Sequence, residues 1–180
     1  VAAKRRDIHR QLGVWGFALA VIIIPLAYLT ATHAIARGTH PPIFDAESWS
    51  VVPLMALPPM ILMLVMGWRN RMDPQAHKRF MLLFTLMTVE PGVGRWPIFP
   101  PVMAGHIAGG LVAFAFVIPL ILWDRKTIGG LHWATKWGLG ALIFGYFVRY
   151  PIWALGFWPD VVLVLPYYEA RRSATCLRIS

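Results

Sequence analysis

Four residues of this chain stand where their chemistry is conspicuous: Glu90 and Arg149 inside otherwise apolar stretches, and His33 and His106 about one turn inside the ends of two others. A charge in apolar surroundings is costly and normally faces a protein interior or a wet cavity. Glu90 and Arg149 each lie about ten residues from the nearer end of their stretch, roughly 15 Å deep at 1.5 Å per residue. Their depths agree, so an ion pair between them is the economical expectation, with Arg95, nearer the surface, competing for Glu90. Such a pair can line a proton path or hold a polar substrate, or it can only pin two helices together.

His33 and His106 also match in depth. Two imidazoles on facing helices are what axial ligation of a b-type haem needs, because the iron takes one nitrogen from each side of the porphyrin. Gly105, Gly109 and Gly110 would make room for a flat macrocycle. The plainer alternative is that each histidine bonds a nearby carbonyl or water. Three further histidines, His9, His77 and His132, recur at the start of alternate apolar stretches. Imidazoles at helix N-termini suit an interfacial metal or anion cluster, the anion being a haem propionate, a lipid phosphate or an acidic quinone substituent. Beside lysines and arginines they equally suit plain interfacial anchoring.

The elements that must position these residues are membrane helices. The chain has 180 residues, 58% hydrophobic and 14% charged, against about 25% charged in ordinary soluble domains. Five apolar stretches of about 20 residues or more predict an all-α, integral membrane bundle of about five spans in a single membrane domain over 1–180. The expected spans are Leu12–Ala36, Trp49–Trp68, Phe80–Phe99, Val102–Trp123 and Trp137–Trp158, with 161–180 an interfacial or disordered tail. A kink is expected near Pro25, and Pro53, Pro58 and Pro59 make the second span irregular. Pro159 and Asp160 are read as the end of the fifth. Ala104, Gly105, Ala108, Gly109 and Gly110 give the fourth span a face that another helix can approach closely.

Charge gives the orientation. Lys4, Arg5, Arg6 and Arg10 precede span one, Arg69, Arg71, Lys78 and Arg79 join spans two and three, and Arg125, Lys126 and Lys136 join spans four and five. The positive-inside rule then puts the N-terminus and both basic joints in the cytoplasm, and the first span reads as retained rather than as a cleaved signal. The net charge of +9 is spent at span ends, not on a recognition motif, which argues against a nucleic-acid partner. Cys176 is the single cysteine, excluding an intrachain disulfide and a multi-cysteine metal site. No phosphate loop, nucleophile elbow or HExxH helix suggests a soluble enzyme.

The strings HRQLG (His9–Gly13), HKRFMLL (His77–Leu83), GRWP (Gly94–Pro97) and LHWATKWG (Leu131–Gly138) resemble a family of small bacterial multi-span membrane proteins. That family is distantly similar to b-type membrane cytochromes and haem-linked oxidase assembly factors. The resemblance implies haem b as cofactor, a haem-linked redox or haem-handling role, and a bacterial cytoplasmic (inner) membrane. The chain departs from di-haem cytochromes, which place four histidines deep in four core spans; a second haem here would need His77 and His132. Its final segment, Ala170–Ser180, also looks unlike a family ending. Two other expectations stand beside this one: an accessory or assembly subunit of a larger membrane complex, and a small transporter using Glu90 and Arg149.

Overall fold

The structure, a computed structural model, describes residues 6–38, 45–93 and 103–164. Every regular element among the described residues is an α-helix: α1 (Arg6–Ala36), α2 (Ala46–Trp49), α3 (Val51–Arg69), α4 (Pro74–Val93), α5 (Met103–Ile128), α6 (Trp133–Phe147), α7 (Arg149–Ala154) and α8 (Trp158–Leu163). Three stretches, Asp7–Ala36, Ala46–Arg69 and Ile107–Ile128, are long and apolar enough to cross a membrane by length and composition. Their exposed Leu12, Trp15, Leu19, Leu111, Phe116 and Leu122 form a surface suited to hydrocarbon.

The segments expected as the third and fifth spans differ. α4 carries Lys78, Arg79 and Glu90 among its apolar residues. α6 has 15 residues, about 22 Å at 1.5 Å per residue, short of a hydrocarbon core of about 30 Å. Pro151 explains the break: it has no N–H to give the Phe147 carbonyl, and its ring crowds that oxygen, so an α-helix cannot run through unbroken. α7 is closed by Gly156, just past its C-cap, whose φ of 72° is the left-handed conformation that ends helices. Pro159 then lies in the first turn of α8, where a fixed φ and a missing N–H cost nothing. It opens a helix where the sequence reading had it close one.

Several other prolines among the described residues lie within helices. α1 is one helix through Pro25, and α3 is one helix through Pro58 and Pro59. α5 extends past Trp123 to Ile128, taking Asp124 into the helix.

α4 is the central element, packing on α3, α5 and α6, while α1 packs on α3. Phe80 and Leu83 of α4, Met63 of α3 and Leu142 of α6 are fully buried and join these helices in one core. Small residues set the spacing: a Cβ on Gly145 would stand 2.9 Å from Pro59 Cγ. A second cluster forms where α8 folds back. Val162 is buried against Ala31, Ile35 and Leu54, and Trp158 Nε1 donates to Ser50 Oγ at 2.9 Å.

Candidate functional site

Glu90 and Arg149 meet. Arg149 Nη1 lies 3.3 Å from Glu90 Oε1, with side-chain exposures of 2% and 12%. Each stands where a helix is disturbed: Glu90 in the last turn of α4, directly before Pro91, and Arg149 at the start of α7, directly after the break that Pro151 imposes. They are thus at helix ends rather than in the middle of continuous spans. Interrupted helices of this kind mark binding sites in membrane proteins, because freed backbone and side-chain groups can face a ligand there.

The surroundings hold the guanidinium on three sides. Arg149 Nε donates to the Tyr146 carbonyl at 2.9 Å. Its Cζ stacks 4.6 Å from the Tyr146 ring centroid and 6.0 Å from that of Tyr150. Tyr146 is itself packed against Phe114 of α5 with centroids 5.4 Å apart, and its side chain interacts with Glu90. Arg149 Nη2 is buried and has no hydrogen-bond partner among the described residues. A buried guanidinium N–H without an acceptor is costly, and native structures fill such positions with water, an ion or a ligand.

α5 presses on this cluster through glycines. A Cβ on Gly109 would stand 2.9 Å from both Glu90 Cα and Glu90 Cγ, and one on Gly110 would stand 3.0 Å from a Tyr146 ring carbon. The space beside Gly109 and Gly110 is taken by the chain's own Glu90 and Tyr146. Gly105 and His106 belong to the first turn of α5, their side chains outside the described residues. His33 is half-buried near the end of α1, a helix that packs chiefly on α3. Arg95 lies outside the described residues.

A second buried pair sits at the opposite end of α4. Arg79 and Asp124 are 2% and 0% exposed. The Asp124 carboxylate accepts from Arg79 Nε (3.1 Å) and Nη2, from Thr135 Oγ1 (2.5 Å) and from the His132 backbone N–H (3.0 Å). Arg79 Nη1 completes its bonding on the Gln75 carbonyl (2.7 Å) and side-chain Oε1 (2.9 Å). α4, α5 and α6 are thereby tied through one carboxylate. All three guanidinium nitrogens of Arg79 and both carboxylate oxygens of Asp124 thus have partners.

The three recurring histidines take separate tasks. His132 is the N-cap of α6, its Nδ1 accepting from the Ala134 N–H at 3.2 Å. His77 Nδ1 bonds the Gly67 carbonyl at 2.8 Å, tying the start of α4 to the end of α3. His9 is exposed on α1. Among the described residues no group of three or more His, Cys, Asp or Glu side chains could hold a metal ion, so these histidines do not form a metal cluster.

Sequence reasoning missed Arg79, Asp124 and Tyr146. Arg79 reads as one more topology charge, and Asp124 falls just past the expected end of its span. The readable signals were the helical spacing of Gln75 and Arg79 and a lone acid at the head of an otherwise basic joint. No family model matches this chain, and neither a curated protein nor a solved structure was found to match it.

Proposed function

We propose that this chain is a multi-pass membrane protein that binds a small anion at Arg149 and carries it together with a proton, Glu90 being the exchangeable counter-charge. The observation that carries this reading is Arg149 Nη2, buried and without an acceptor among the described residues, beside a carboxylate that is partly accessible. Electroneutrality gives the coupling. With Glu90 ionised the pair is neutral and an anion has little reason to enter. With Glu90 protonated, Arg149 keeps an uncompensated charge in a low-dielectric site, and an anion restores neutrality. Anion and proton therefore load together and leave together.

The broken helices α6 and α7 and the proline after Glu90 support a site at a point where the fold can rearrange. The basic joints support an N-terminus on the cytoplasmic side of the membrane. Haem ligation by His33 and His106 rests on their sequence positions alone.

Thermal stability of the detergent-purified protein, titrated with chloride, nitrate or lactate at acidic and alkaline pH, tests the reading. A ligand of the folded state at a hundred times its Kd adds about 2.7 kcal/mol. At least one anion should stabilise the wild type more at acidic pH, stabilise Glu90→Gln equally at both, and leave Arg149→Gln unchanged. Equal responses in wild type and Arg149→Gln exclude the site.

A further inference from the structure

Away from the charged pairs, α3 and α6 flank a groove of about 480 Å³ lined by Pro58, Pro59, Leu62, Lys136, Trp137, Gly140 and Phe144. That volume is in the range of about 300–1,000 Å³ typical of sites for small ligands. Two sequence features make the groove. Pro58 and Pro59 present short rings where longer side chains would fill the interface, and Gly140 presents none: a Cβ there would meet nothing within 4 Å.

We propose that this groove binds one acyl chain of an anionic phospholipid, whose headgroup phosphate rests on Lys136. Its polarity is graded along its length. Lys136, in the first turn of α6, is exposed and has no carboxylate partner among the described residues. Beyond it the lining is apolar as far as Phe144. From Lys136 to Phe144 the helix advances about 12 Å at 1.5 Å per residue, close to the depth of one leaflet, about half of a 30 Å hydrocarbon core. A single cation at the shallow end and hydrocarbon below match a lipid's own order of phosphate and chain. Trp137, beside Lys136 and 64% exposed, sits where aromatic rings favour the headgroup boundary.

The occupant is a phospholipid of the surrounding leaflet, because the groove opens sideways onto the exposed apolar faces of Leu62 and Phe144. Its second chain stays in the bilayer. The inference is independent of anion binding at Arg149.

The test is native mass spectrometry of the full chain after reconstitution in vesicles of phosphatidylcholine and phosphatidylglycerol in equal parts. Wild-type protein should retain one phosphatidylglycerol in preference to phosphatidylcholine. Lys136→Gln should lower that retention about fivefold, the factor one basic residue contributes near an anionic surface. Gly140→Leu, whose Cβ meets no atom within 4 Å and whose branched end enters the groove, should abolish it, while Lys126→Gln, an exposed cation outside the groove, should not change it. Thermal unfolding of each variant at or above the wild-type temperature verifies the fold. No preference for phosphatidylglycerol, retention of a free fatty acid or a second copy of the chain instead, or retention unaffected by Gly140→Leu would each overturn the proposal.

Discussion

Replacing Asp124 with alanine leaves the Arg79 guanidinium buried without its counter-charge, and the structure sets the size of the effect. Both side chains are at most 2% exposed, so solvent screening does not reduce the penalty. Breaking a buried pair from one side costs about 3–5 kcal/mol. For a chain of this size each kcal/mol moves the melting temperature by about 2–4 °C, which gives a fall of about 6–20 °C. Removing both charges, as Arg79→Met with Asp124→Leu, abolishes the uncompensated charge but still orphans Thr135 Oγ1 and the His132 N–H. The double variant should therefore recover most of the loss, short of wild type by about 1–3 kcal/mol. The assay is thermal unfolding in mild detergent, followed by tryptophan fluorescence, with the two singles and the double closing a mutant cycle. An Asp124→Ala variant within about 2 °C of wild type, less than the smallest shift allowed, or a double variant as unstable as the single, would refute the reasoning.

Other outcomes follow from the same contacts. Gly109→Ala places a Cβ 2.9 Å from the Glu90 backbone; it should cost about 1–3 kcal/mol in overpacking and blunt the acid enhancement of anion stabilisation by displacing Glu90. Gly140→Ala meets open space and should raise stability by up to about 1 kcal/mol through helix propensity, as unfolding temperatures will show. His132→Ala removes the acceptor that caps α6 and should cost about 1 kcal/mol without altering the anion response; a change in that response would assign His132 a part in binding.

The helical class was legible because apolar runs of membrane length are hard to mistake, and three of the expected stretches are helices long and apolar enough to cross a membrane. The depths of Glu90 and Arg149 also led to their pairing, although the reading placed them in unbroken spans. What escaped was local. Proline has two opposite meanings: Pro25, Pro58 and Pro59 are carried within helices, Pro151 ends α6 five residues after Tyr146, and Pro159 starts α8. Only the backbone bonding around each decides which applies. The glycines of α5 announced a close approach but not its partners, Glu90 and Tyr146. Arg79 and Asp124 are 45 residues apart, and no period in the sequence links them. The histidines shared a position relative to helix starts, yet capping α6 and tying α3 to α4 are separate jobs that need no common site.

The most direct measurement of the central claim is internal pH in proteoliposomes given an inward lactate gradient. Acidification should be faster than in protein-free liposomes, lost in Arg149→Gln, and lost in Glu90→Gln even though that variant still binds the anion. Acidification equal to that of empty liposomes, or unchanged in Arg149→Gln, would contradict it.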